Sequence, residues 1–101
     1  MIDQIVPAKT ALLLMLQQGE SYGLELASKI EEKTAGKIAL GPGTLYPALR
    51  NLESSGFATS REVAEKNRGG RPKVFYSLTS AGKKSANGLS SALRGLLGSR
   101  K

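Results

Sequence analysis

The chain of 101 residues contains no cysteine, no histidine and no tryptophan. Without cysteine there are no disulfides and no thiolate metal sites. Without histidine the commonest general base and metal ligand is missing, so no serine or threonine can be activated by an imidazole. The eight carboxylates stand in mixed-charge surroundings, and the glycines do not follow a phosphate-loop pattern. These absences point away from an enzyme and give no cofactor and no metal to expect. No apolar run approaches the roughly 20 residues that cross a bilayer. The opening Met1-Ile2-Asp3-Gln4 lacks the basic start of a secretory signal. A cytoplasmic protein with no membrane partner is expected.

Acidic residues are also missing from one third of the chain. Residues 1–65 hold 6 basic and 8 acidic side chains, whereas residues 66–101 hold 9 basic and none acidic. The net +7 is therefore a local excess of +9 offset by −2. Such an imbalance favours a polyanionic partner. A solubilising tail is the plain alternative. The length suits one domain. With 40% hydrophobic residues there is material for one core, and a dimer would help cover it. No internal repeat or long linker divides the chain.

The periodicities predict four helices and a hairpin. A first helix begins at Pro7, where the missing N–H costs nothing, and ends near Gly19. Its centre, Ala11-Leu12-Leu13-Leu14-Met15-Leu16, is apolar on every side and so needs cover on more than one face. Either a second subunit or the chain's own core supplies it. A second helix is predicted from Ser21, as N-cap, to about Lys33, with Gly23, Leu26, Ala27 and Ile30 as its buried stripe. Gly23 is read as a point of close approach for another helix. Thr34-Ala35-Gly36 ends this helix, and Ile38-Ala39-Leu40 can form a short strand.

The third helix lies between Gly41-Pro42-Gly43 and Gly56, with Leu45, Leu49 and Leu52 as its core edge. Thr44 as N-cap would place Pro47 in the first turn, where donors are free; a start at Pro42 would instead kink the helix at Pro47. A hairpin follows, from Phe57 to about Glu65 and from Lys73 to Leu78, around a glycine-rich turn at Gly69-Gly70. Thr79 or Ser80 caps a final helix toward Leu97. In it Ala86, Leu89, Leu93 and Leu96 keep a/d spacing, while Gly88 and Gly95 weaken it by about 1 kcal/mol each.

Two clusters carry chemistry. On the outer face of the third helix, Arg50 suits a guanine edge and Asn51 an adenine edge. Thr44, Tyr46 and Pro47 near its start suit phosphates or a thymine methyl. Around the hairpin tip, Arg68, Arg71 and Lys73 suit a narrow minor groove. Ser21 and Tyr22 are candidates for a phosphate contact at the start of the second helix, although a plain cap and a packed tyrosine fit equally. The apolar positions Leu13, Leu16, Leu89, Leu93, Leu96 and Leu97 are candidates for a homodimer interface. An intrachain core helix is the alternative. The fold expected is α+β, mainly α: a winged helix-turn-helix over residues 1–79 with a C-terminal dimerisation helix over 80–101 in the same compact unit.

Three stretches resemble the PadR-like transcriptional regulators. They are Ser21-Tyr22-Gly23-Leu24-Glu25-Leu26, then Gly43-Thr44-Leu45-Tyr46-Pro47-Ala48-Leu49 with Leu52-Glu53 and Gly56, and finally Tyr76-x-Leu78-Thr79-x-x-Gly82. The likeness covers about residues 5–90. It implies a bacterial dimeric repressor that binds a palindromic double-stranded DNA operator through the third helix and the wing, associates with the nucleoid, and dimerises by its last helix. It also implies DNA-facing roles for Thr44, Tyr46, Pro47, Arg50 and the wing basic residues. Members often respond to small aromatic compounds through the C-terminal region. Here the last helix is short, with two glycines, and the tryptophan of the drug-binding branch is missing, so the chain resembles a short-tailed subgroup and its effector is unknown. A winged-helix module for protein–protein assembly is the alternative reading.

Overall fold

The computed structural model describes residues 5–64 and 72–98. Its elements, in chain order, are helix α1 (Ala8–Met15) running into a single 3-10 turn (Leu16–Gln18), strand β1 (Ser21–Tyr22), helix α2 (Gly23–Lys33), helix α3 (Pro42–Ser54), strands β2 (Ala58–Ala64) and β3 (Pro72–Leu78), and helix α4 (Ser80–Leu96). The strands form one antiparallel sheet in the order β1-β3-β2. This is a winged helix-turn-helix: α2 and α3 make the helix pair, and β2 and β3 make the wing.

The core gathers where α1, α2 and α3 meet the inner face of the sheet. Leu12, Leu26, Leu45, Leu49 and Leu52 are wholly enclosed. Tyr76 and Ala58 close the core from the sheet, and Ala86 closes it from α4. Leu13 and Leu16 are buried too, so the chain itself supplies most of the cover that α1 requires. This corrects their assignment to a dimer interface: both side chains are already spent inside the fold. Only Leu14 remains half-buried in the apolar centre of α1.

Two local expectations are corrected and one open alternative is decided. The second helix is capped at Tyr22, not Ser21, because Ser21 and Tyr22 pair with Tyr76 and Phe75 as the third strand. That pairing fills the place offered to Ile38-Ala39-Leu40, which form no strand. Instead the Ile38 amide donates to the Thr34 hydroxyl at 3.0 Å, and the Ile38 side chain is buried. The turn is sharp enough to hold Ala35 at φ 53° and Gly36 at φ 79°. Finally, α3 starts at Pro42 with Gly41 as N-cap, the Gly41 carbonyl accepting from Leu45 N–H at 2.8 Å. Thr44 is therefore not the cap, since a proline at the first helical position is already set for helix and has no donor to lose. Pro47 then lies inside the helix. An interior proline costs about 3 kcal/mol, whereas each enclosed leucine contributes roughly 1.5–3 kcal/mol, so burial of Leu45, Leu49 and Leu52 outweighs it.

The junction between α3, the wing and α4 is tightly bonded. Gly56 stands at φ 83°, and Phe57 N–H donates to Leu52 O while Gly56 N–H donates to Glu53 O, the paired bonds of a Schellman stop. Thr79 caps α4, accepting from Gly82 N–H at 3.0 Å and donating to the Gly56 carbonyl at 2.6 Å. Thr79 N–H donates to Phe57 O at 3.0 Å. A Cβ on Gly82 would stand 1.9 Å from that same carbonyl oxygen. Far from this junction, Gln17 clasps α4, donating to Asn87 at 2.9 Å and accepting from Ser90 at 2.9 Å.

Replacing Gly82 with Ala should therefore cost stability at or above the upper end of the roughly 1–3 kcal/mol typical of overpacking. Thr79→Ala should cost about 1 kcal/mol through its cap alone. Chemical denaturation of both variants checks the order; a Gly82→Ala protein as stable as wild type would mean the junction can open.

Candidate nucleic-acid interface

Helix α3 presents two faces. Leu45, Leu49 and Leu52 are buried, while Thr44, Pro47, Arg50 and Asn51 are exposed. Arg50 and Asn51 thus stand outward as the sequence predicts, with Pro47 and Thr44 nearer the helix start. Asn51 accepts from Ser54 at its backbone oxygen and from Ser55 at its side-chain oxygen. Tyr46 differs from expectation: it is half-buried rather than turned to solvent. A Cβ on Gly23 would lie 2.9 Å from its ring, so Gly23 is the predicted point of close approach, and the residue it admits is Tyr46.

At the start of α2 the donors offered to a phosphate are partly taken. Ser21 is 3% exposed, and its hydroxyl donates to Glu25 Oε1 at 2.5 Å. Glu25 sits in the first turn, three positions after the Tyr22 cap. There a carboxylate can reach back to the cap's N–H, and the Tyr22 backbone does hydrogen-bond to it. The Ser21 bond, aided by Lys29 at 3.8 Å, holds the Glu25 carboxyl below its ordinary pKa. An ionised carboxylate thus already occupies the positive end of α2. The hydroxyl of Ser21 is turned inward and is not presented to a ligand.

Tyr22 stays half-buried at the surface and belongs to a ladder across the sheet's outer face. Its ring meets Phe75 edge-on, with centroids 5.5 Å apart. The Lys73 ammonium lies 4.2 Å from the Tyr22 ring centroid, and the Arg61 guanidinium 5.6 Å from that of Phe75. Arg61 is held in turn by a two-pronged bond to Glu20, at 2.6 and 2.7 Å, which draws the Glu20 carboxyl below its ordinary pKa. Alternation places Arg61, Lys73 and Phe75 on one face of the paired strands. Between wing and helices runs an open cleft of about 810 Å³, lined among others by Tyr22, Leu24, Lys29, Tyr46 and Lys73. Arg68 and Arg71 lie outside the described residues.

Sequence reasoning missed the Arg61–Glu20 clasp, which joins residues 41 apart and leaves no local pattern. It also passed over Leu24, 61% exposed on the cleft. The apolar end of the molecule is elsewhere. Leu96 and Leu97 are each 82% exposed, and Leu93 and Leu97 border a groove of about 430 Å³ with Val6, Leu14, Met15 and Ile30. Leu89 is partly buried against the core. Among the described residues no cluster of three His, Cys, Asp or Glu side chains could hold a metal ion, and no helix is long and apolar enough to cross a membrane.

The model of the transcriptional regulator PadR-like family matches residues 12–87. The chain belongs to this family. Family and neighbours are transcription regulators, not enzymes. PadR of Bacillus subtilis, solved in complex with operator DNA, is 28% identical with a TM-score of 0.71, over 80% of this chain and 45% of that one. A PadR family regulator from hypervirulent Clostridium difficile R20291 is 27% identical with a TM-score of 0.75, over 88% of each chain. The transcriptional regulator YqjI of Escherichia coli is 35% identical over 54 residues, which are 54% of this chain and 26% of the relative. The chain thus spans about a quarter of that relative's length.

The Gly23–Tyr46 approach is open to a direct check. Gly23→Ala should shift the Tyr46 ring signals in NMR spectra with little net loss of stability, because the gain in helix propensity, about 1 kcal/mol, offsets the crowding. Unmoved ring signals would show that this spacing does not constrain Tyr46.

Proposed function

We propose that this chain is a sequence-specific DNA-binding repressor acting as a homodimer on a two-fold symmetric operator. The observation that carries this reading is the exposed row Thr44, Pro47, Arg50 and Asn51 on α3, held beside a cleft bearing Tyr22 and Lys73. Arg50 and Asn51 offer donors to base edges in a major groove. Tyr22 and Lys73 meet the sugar–phosphate backbone, and the charges of Arg68 and Arg71 suit the neighbouring minor groove. The solved complex of the Bacillus subtilis relative with operator DNA supports the assignment. Repression follows when an occupied operator excludes polymerase from a promoter in the cytoplasm.

Dimerisation rests on α4. Its exposed Leu93 and Leu96 and the capping Leu97 form an apolar end, Leu93 and Leu97 border the groove formed with α1 and α2, and a partner's α4 would cover both. Two copies of α3 then reach successive major grooves about one helical turn, roughly 34 Å, apart.

Selection of bound fragments from genomic DNA tests the activity and yields the operator. Arg50→Ala should weaken operator binding by about 1–3 kcal/mol and relax the preference at one base pair; an equal loss on random DNA would refute base reading there. Leu93→Asp should reduce the mass in light scattering to that of one chain, and an unchanged dimer would place the interface elsewhere. Binding that ignores salt would replace this reading with a protein–protein module, because phosphate contacts lose affinity steeply as salt rises.

A further inference from the structure

We infer that Leu24 is a deoxyribose-contacting residue: an apolar tooth at the start of α2 that packs on the sugar edge of one DNA strand, independent of base sequence. The inference rests on the DNA-binding reading above and adds a contact of a different kind to it. Leu24 is the second residue of α2 and is 61% exposed. Among the described residues, the other exposed large hydrophobic side chains are Ile5 before α1, Leu93 and Leu96 in α4, and Leu97 just after it. Leu24 instead lines the cleft with Tyr22, Tyr46 and Lys73, within the surface that faces the duplex.

Charge decides what it can touch. Helix starts commonly receive phosphate through free N–H groups. Here Glu25, the next residue, already accepts the Ser21 hydroxyl and the Tyr22 N–H, with Lys29 paired to it at 3.8 Å, so donors a phosphate would use are taken. Lys73, across the cleft on β3, attracts one. A strand crossing the cleft is thereby drawn toward the wing and finds the α2 start already filled, so the part lying over Leu24 is the uncharged ring between phosphates. The carbon-bound face of deoxyribose is apolar and suits a leucine. A thymine methyl would also suit it, but base edges lie deeper, where α3 reads them.

The test compares wild type, Leu24→Ser and Lys73→Ala on a mixed-sequence duplex built only of G·C pairs, which carries no thymine methyl. Affinity is measured over a series of salt concentrations. Losing the apolar contact should weaken Leu24→Ser by about three- to tenfold at every salt concentration, giving a line parallel to wild type. Lys73→Ala should flatten the slope by about one. Leu24→Ala serves as a second variant, and both should unfold at the wild-type temperature because the side chain is largely exposed. A Leu24→Ser line that coincides with wild type, or a loss confined to duplexes containing thymine, overturns the inference and leaves DNA binding intact. A change of mass without a change in DNA affinity would assign Leu24 to a protein contact and overturn it equally. A wild-type protein that binds neither this duplex nor any fragment selected from genomic DNA overturns both readings.

Discussion

One carbonyl group organises this molecule. Phe57 O receives the Thr79 N–H and lies against Gly82 with no room for a side chain between them. Its neighbour Gly56 O receives the Thr79 hydroxyl. The end of α3, the root of the wing and the first turn of α4 thus share one hydrogen-bonded knot. Each partner is explained by its residue type: glycine at φ 83° to stop α3, threonine to cap α4, and a second glycine to let backbone meet backbone. Helix α3, the wing and α4 are thereby tied together at a single point of the backbone.

Electrostatics is arranged around that frame rather than spread evenly. The +9 excess belongs to residues 66–101, while Glu20 and Glu25 sit where β1 and α2 begin. Glu20 ties down Arg61, an exposed contact of the class that adds little stability. Its effect is local geometry: Arg61 stays over Phe75, Phe75 against Tyr22, and Tyr22 beneath Lys73. Carboxylates beside the cleft thus fix which basic and aromatic side chains stand together there.

Much of this was legible in the residues. Leu45, Leu49 and Leu52 marked the core edge of α3, Gly23 the close approach, Thr79 the cap and the Val74–Leu78 alternation the wing. What failed turned on contacts that leave no pattern in the sequence, several of them between distant segments. Ser21 looks like a cap until β3 claims it as a strand residue. Ile38-Ala39-Leu40 look like a strand until Thr34 ties down the Ile38 amide. Leu13 and Leu16 look spare until the core closes over them, and Arg61 has no local cue to Glu20. Pro42 and Thr44 competed for one cap, and the proline's preset φ with its absent donor decided between them.

The knot at Thr79 leaves no slack between the wing and α4, and this has a geometric consequence for any assembly built on that helix. Each residue of an α-helix turns the chain by about 100° and advances it by about 1.5 Å. With no hinge to absorb such a step, adding or removing one residue before Leu93 would swing the apolar end around the helix axis relative to Arg50. Helix α4 thus acts as a molecular protractor, converting its residue count into the angle at which two such proteins would meet.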